Sequence, residues 1–147
     1  MNRRSALSLV ALTAMLQACA TPAGPTFSAL EPTPAGRANL YIYRKAALYA
    51  MAAKYPVTAA DKTMVGELYN ASYLLLPLKP GKHAFTVAEG GWASPKTFEV
   101  DVEAGKNYFV EYDSSKGLLL GAGLLSGTAI KTEAQALADL KELRRAN

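Results

Sequence analysis

From Ala38 onward, apolar and polar positions alternate with a period of two. Leu40 and Ile42 fall opposite Tyr41 and Tyr43, and Phe98, Val100 and Val102 fall opposite Thr97, Glu99 and Asp101. Tyr108, Val110 and Tyr112 bracket Phe109 and Glu111. Successive side chains of a strand point to opposite faces, so the pattern predicts strands with one face on a core and the other toward solvent. Ser72 to Leu78 is apolar on both faces and reads as a more central strand, with Pro77 near its end. A short strand is expected over Val65 to Leu68, and another over His83 to Glu89.

The connections carry turn chemistry. Lys79-Pro80-Gly81-Lys82 places Pro and Gly where a tight turn uses them and is expected to join two strands as a hairpin, and Ala104-Gly105-Lys106 to do the same for the next pair. Gly90 to Pro95 reads as a longer loop, and Asp61 to Met64 as a turn. Strands at roughly 8–12-residue spacing separated by such turns predict a mainly β fold, a small antiparallel β-sandwich. The C-terminal stretch differs. Thr132 followed by Gln135 matches a capping box, and EAQALADLKELRR holds strong helix formers without Gly or Pro. An amphipathic helix with Leu137, Leu140, Ala136 and Leu143 on its apolar side is expected to pack on the sheet, with Lys141, Arg144 and Arg145 at its C-terminal end. Ala46 to Lys54 reads as a short helical insertion.

The N-terminal stretch MNRRSALSLVALTAMLQAC has the parts of an export signal. Arg3 and Arg4 supply the positive end, and Ala6 to Leu16 form an apolar run too short to span a bilayer, which takes roughly 20 residues. Leu16-Gln17-Ala18-Cys19 resembles the lipobox of bacterial lipoproteins. That resemblance implies a diacylglycerol on the Cys19 thiol, cleavage between Ala18 and Cys19, and acylation of the new amino terminus. The one cysteine of the chain stands at the position that this chemistry requires. Several acyl chains anchor stably where one alone is marginal. Ala20 follows, without the aspartate that marks inner-membrane retention, so the expected address is the outer membrane, facing the periplasm. Ala20 to Arg37 holds four of the eight prolines. Proline lacks an amide donor, so this stretch is expected to be a mobile tether outside any sheet, although Phe27 and Leu30 could dock. The organisation expected is a signal peptide over 1–18, a lipidated linker over 19–37 and a β-sandwich domain with its helix over 38–147.

Composition narrows the functional classes. The formal charge of +4 includes Arg3 and Arg4 of the signal, and the remaining basic residues are scattered apart from pairs such as Arg44-Lys45 and Arg144-Arg145. Nucleic acid, which needs a dense basic face, is not an expected partner. A single cysteine excludes an intramolecular disulfide and any multi-cysteine metal site. His83, the only histidine, follows the Pro-Gly-Lys turn, where a turn or surface role outweighs catalysis in the absence of a partnered constellation. No G-x-S-x-G elbow accompanies it. Glu99, Asp101 and Glu103 could hold a cation, but alternating charge is also what a solvated strand face needs. Trp92 and the tyrosines could form a carbohydrate platform, or serve as ordinary strand residues. Gly117 to Ile130 (GLLLGAGLLSGTAI) is too short to cross a bilayer and too rich in glycine for a stable helix. It is expected to complete the sandwich as a buried strand or hairpin, with an exposed docking loop as the alternative.

ANLYIYR, VGELYNASYLLLPLKPGKHAFTV and FEVDVEAGKNYFVEY, followed by a closing helix, resemble the lipoprotein group known as domain of unknown function 2846, over most of Ala38 to Asn147. The PGKH and AGKNY turns are also similar to those of PEGA-type β-sandwich modules. The chain departs from such sequences at Asp61-Lys62, where they carry Asp-Gly. The resemblance implies a fold and brings no catalytic residues or cofactor. The expected function is therefore a lipid-anchored, non-enzymatic envelope protein that binds or assembles with an envelope partner. A glycan or peptidoglycan binder is the first alternative and a hydrolase the second.

Overall fold

The computed structural model describes residues 22–48, 50–88, 94–114 and 127–147. It is a mainly β fold of two sheets and one helix. The strands are β1 (Ala38–Arg44), β2 (Tyr55–Ala59), β3 (Met64–Leu68), β4 (Ser72–Leu78), β5 (Gly81–Val87), β6 (Lys96–Val102), β7 (Asn107–Asp113), β8 (Gly127–Lys131) and β9 (Arg144–Arg145), with helix α1 (Glu133–Leu140) before β9. One sheet has the order β8-β7-β1-β4-β9 and the other β3-β2-β5-β6. The expected sandwich is present, with one correction. The five-stranded sheet is mixed, because β1 runs parallel to β7 and β4 parallel to β9.

That mixture follows from the two glycine turns. β4 and β5 lie in different sheets, as do β6 and β7, so the Pro80-Gly81 and Gly105 turns are corners between the sheets rather than hairpins. Gly81 and Gly105 both adopt positive φ (123° and 81°), which lets the chain leave one sheet and enter the other without a side-chain clash. The antiparallel pairs are instead β1–β4, β2–β3, β2–β5, β5–β6 and β7–β8. β2 was not anticipated. Its Pro56 interrupts an otherwise short apolar run, and its place between β3 and β5 depends on contacts distant in sequence.

The β2–β3 hairpin turns at Asp61-Lys62. Lys62 takes a left-handed φ of 66°, the position that glycine fills in Asp-Gly turns. Asp61 Oδ1 accepts the Thr63 amide at 2.9 Å, and Lys62 N donates to Ala59 O at 2.9 Å, so local hydrogen bonds hold the lysine in a conformation that L-residues disfavour.

Between the sheets lies a core of Leu40, Ile42, Leu74, Leu76, Val110 and Tyr112 from one side and Val57, Leu68, Phe85, Val87, Phe98 and Val100 from the other. The opposite face of the five-stranded sheet does not meet solvent as the alternation suggested. Tyr41, Tyr43, Tyr73, Leu75 and Phe109 are covered by Ala136, Leu140 and Leu143 and by Phe27. Aromatic side chains explain the misreading, since a tyrosine face can serve either water or a second core.

α1 starts at Thr132 with the expected capping box. Gln135 N donates to Thr132 Oγ1, and Thr132 N donates to Gln135 Oε1 at 3.2 Å. It stops at Leu140, earlier than its helix propensity suggests. The amides of Arg144 and Ala146 donate to Ala71 O and Tyr73 O, so the chain adds β9 to the free edge of β4. Sheet pairing along with burial of Leu143 outweighs one more helical turn, and Arg144-Arg145 become strand residues. The helix expected over Ala46 to Lys54 is also absent from the described residues there, which form bends and turns around Ala50 at φ 52°.

The proline-rich stretch is part of the fold from Pro22 onward, not a free tether. Pro22 and Phe27 are buried. Gly24 N donates to Arg145 O at 3.1 Å, Arg145 N to Pro25 O at 2.9 Å, and Phe27 N to Leu143 O at 2.9 Å. The donors within the segment are the non-proline amides of Gly24 and Phe27, and the Pro25 carbonyl still accepts from Arg145, so the prolines do not prevent docking. Glu31 adds an ion pair with Arg145 and takes a hydrogen bond from Asn39 Nδ2 to its carbonyl. A Cβ added at Gly24 would lie 2.3 Å from the Arg145 carbonyl oxygen, a backbone atom held in the β9 pairing. Gly24→Ala is therefore expected to release the segment, expose Phe27 and cost about 1.5–3 kcal/mol, the worth of one buried aromatic side chain. Hydrogen exchange at the Phe27 amide reads this directly, and undiminished protection in the variant would contradict it.

Candidate functional site

Among the described residues, two concave features and a charged cluster stand out. The larger cleft, about 410 Å³, opens at the corner where the chain passes from β4 to β5. Leu76, Leu78, Val65, Ala59 and Phe85 give it apolar walls, with Lys82, His83 and Asp61 among its lining residues. His83 Nε2 lies 2.8 Å from the Lys79 carbonyl oxygen, which can only accept, so Nε2 carries the proton. The ring stacks on Phe85 with centroids 6.4 Å apart. The lining contains no hydroxyl or thiol for an imidazole to activate.

The charged cluster lies under α1. Glu111 is only 5% exposed, on the helix-facing side of β7. Lys131 and Lys45 close on its two oxygens at 2.7 and 2.9 Å. Lys45 also reaches Asp139 at 3.7 Å, and Asp139 accepts the Tyr43 hydroxyl at 2.9 Å. The group thus ties β1, β7 and β8 to the helix. Beside it a smaller pocket of about 290 Å³ is lined by Lys45, Ala46, Ala138, Asp139, Glu142 and Leu143. Burial by itself would raise the Glu111 carboxyl, but the hydrogen bonds from Lys131 and Lys45 outweigh it and leave its pKa below the usual carboxylate value. The Glu111 hydrogen bond raises Lys45 in turn. Burial first, and then the Asp139 bond, push the Tyr43 hydroxyl far up, so it stays protonated and donates. The period-two pattern placed Glu111 beside Phe109 and signalled nothing more, because the lysines that meet it lie 66 residues back and 20 ahead in the chain.

The Arg44-Lys45 pair, a scattered surface charge by sequence, is structural. Arg44 is 1% exposed. Its Nε donates to Ser114 Oγ at 3.0 Å, while Nη1 and Nη2 donate to the carbonyls of Ala53 and Ala50 at 2.9 and 2.7 Å. The guanidinium stacks 4.8 Å over Tyr55. Carbonyls and a ring face thus replace water around the cation and shape the loop after β1.

Glu99 and Asp101 are exposed on the outer face of β6, as the solvated-face reading expected, and Glu103 pairs with Lys106 at 2.7 Å. Among the described residues no group of three or more His, Cys, Asp or Glu side chains is placed to hold a metal ion. Tyr41, Tyr43, Tyr55, Tyr73 and Tyr112 are buried, so they build cores rather than a sugar-stacking platform. Of Gly117 to Ile130, only Gly127 to Ile130 lie within the described residues. They form the edge strand β8, and Ile130 is 68% exposed, so this part is not the buried strand expected. An edge strand has one unpaired side and a face that the partner sheet does not reach, which accounts for the exposure. Ala18, Cys19, Trp92 and the rest of the apolar segment lie outside the described residues.

The pH dependence of the cluster follows from its charges. The folded Glu111 pKa lies below the unfolded value near 4.5, so the fold favours the ionised form. Its stabilising contribution is complete above that value and is lost as pH falls through the folded pKa. Glu111→Gln keeps the shape but removes the charge from two charge-assisted bonds, and is expected to cost about 1.5–3 kcal/mol at neutral pH. The gap between wild type and variant should shrink below pH 4, and thermal unfolding across pH reads it. A gap that stays constant down to strong acid would show that Glu111 contributes packing alone.

A sequence comparison with functionally described proteins finds no match. A family profile described as a protein of unknown function, DUF2846, matches residues 34–123, which span β1 to β7 and therefore both corner turns, the cleft, and the strands carrying Arg44 and Glu111. The match covers more than half of the chain, and the protein belongs to the DUF2846 family.

Proposed function

We propose that this protein is a lipid-anchored bacterial envelope protein, exported by residues 1–18 and lipidated at Cys19, whose sandwich binds or assembles with a partner rather than catalysing a reaction. The observation that carries the anchoring is the lipobox-like Leu16-Gln17-Ala18-Cys19 at the end of a short apolar run, with the chain's sole cysteine at the modified position. Ala20 favours the outer membrane, facing the periplasm.

The arrangement of ionisable groups supports the non-enzymatic part. Arg44, Glu111, Lys45, Lys131 and Asp139 hold the fold together, and His83 lines a cleft whose lining offers no hydroxyl or thiol. General-base catalysis needs a partner oriented within hydrogen-bond reach, and the partner of His83 is a backbone carbonyl. Burial of five tyrosines weighs against the glycan-binding alternative. The cleft is an apolar recess suited to a side chain or small apolar group of an envelope partner.

Growth with a labelled fatty acid tests the anchor. Wild type should take up label and run as the shortened form, whereas Cys19→Ser should stay unlabelled and uncut at Ala18. Equal labelling of the two would refute the lipidation. His83→Ala is expected to keep abundance and cellular role, and loss of that role at normal abundance would return the hydrolase to consideration.

A further inference from the structure

If Cys19 carries the lipid, as the preceding reading has it, the structure also determines how the domain faces the membrane. Pro22 is already buried on the domain, three residues after Cys19. Gly24, Pro25 and Phe27 are then fixed by main-chain hydrogen bonds to Arg145 and Leu143. At 3.3–3.6 Å per extended residue, the chain between the lipidated residue and the docked segment reaches roughly 10 Å. The headgroup layer takes up roughly 5–7 Å of that on one side of a bilayer. A free linker over 19–37 would instead spread over roughly 25 Å as a flexible coil and let the domain tumble.

We propose that the β9 edge of the five-stranded sheet, together with the docked segment Pro22 to Glu31, lies against the lipid headgroups and holds the domain in one orientation. Thr26 bridges Arg144 along this edge, so the anchored chain enters along β9 and not at either end of the sandwich. Lys141 and Arg144 are exposed beside it with Glu142 between them, a net positive charge that suits anionic headgroups. Arg145 is pinned by Glu31, which fastens the segment to the edge that it presents. The opposite edge, β8 with neighbouring β6, stands roughly 20 Å farther from the membrane, four strand spacings away. In that orientation β6, with Glu99 and Asp101 on its outer face, stands on the side of the domain away from the membrane.

Because the lipid consumes the only native thiol, an introduced cysteine is the sole labelling site in the mature protein. Full-length, lipidated protein carrying Lys141→Cys or Glu99→Cys would be labelled with a fluorophore and reconstituted in vesicles of phosphatidylcholine and phosphatidylglycerol with nitroxide-bearing headgroups. Flotation with the vesicles comes first, and failure to float would overturn the anchor itself. For protein that floats, quenching should be several-fold stronger at position 141 than at 99. A long Gly-Ser insertion between Thr21 and Pro22 should bring the two positions close to equal. Equal quenching without the insertion, or an asymmetry that survives it, would overturn the orientation and leave the anchor standing.

Discussion

Strand β1 is buried along its whole length, so the five-stranded sheet that it centres must be covered on both faces. The four-stranded sheet covers one face over Leu40, Ile42, Leu74 and Val110. The other, set with Tyr41, Tyr43, Tyr73 and Phe109, receives the short helix and the segment around Phe27. An eight-residue helix is too short to cover five strands alone. The proline-rich stretch is drawn in to finish the task, and main-chain hydrogen bonds to Leu143 and Arg145 hold it there. Packing in the second core thereby decides the course of the chain before β1.

Double coverage also makes polar groups on the central strands expensive unless they are paired. Arg44 and Glu111 sit on β1 and β7 near the same end of the sheet but on opposite faces, and each is handled differently. Arg44 is wrapped by carbonyls and a tyrosine ring, an arrangement that orders the loop after β1. Glu111 is wrapped by two lysines, and through Lys45 and Asp139 the pairing extends to the helix. Neutral burial at these positions would give a stable sheet with no instruction about where the loop and helix attach. The charges supply the attachment points, so the residues that look most like chemistry serve the architecture.

The passages between sheets locate the cleft. Where Pro80-Gly81 carries the chain across, the sheets part and Leu76, Leu78 and Phe85 line a recess that neither fills. Lys62, held in a left-handed conformation, sets the nearby hairpin at its rim with the same geometry that glycine would give. A recess with apolar walls at a sheet corner is thus a feature of topology.

Much of this was readable in the chain. Period-two alternation marked β1, β6 and β7, the apolar run of Ser72 to Leu78 marked a central strand, and Thr132 with Gln135 marked the start of the helix, because these signals are local. The lipobox-like motif is local as well, and it is the main basis for the proposed anchoring. Other features depended on tertiary structure. The glycine turns specified a change of direction without saying whether the next strand pairs in the same sheet or crosses to the other. Helix propensity continued through Arg145, but the free edge of β4 offered backbone partners that ended it. The tyrosine face was legible as amphipathic, and only the helix and Phe27 decided that it was a core. The prolines lack amide donors, yet Gly24 and Phe27 between them donate to Arg145 and Leu143, and Arg145 donates back to Pro25. In each case a residue's own chemistry permitted two outcomes, and a partner distant in sequence selected one.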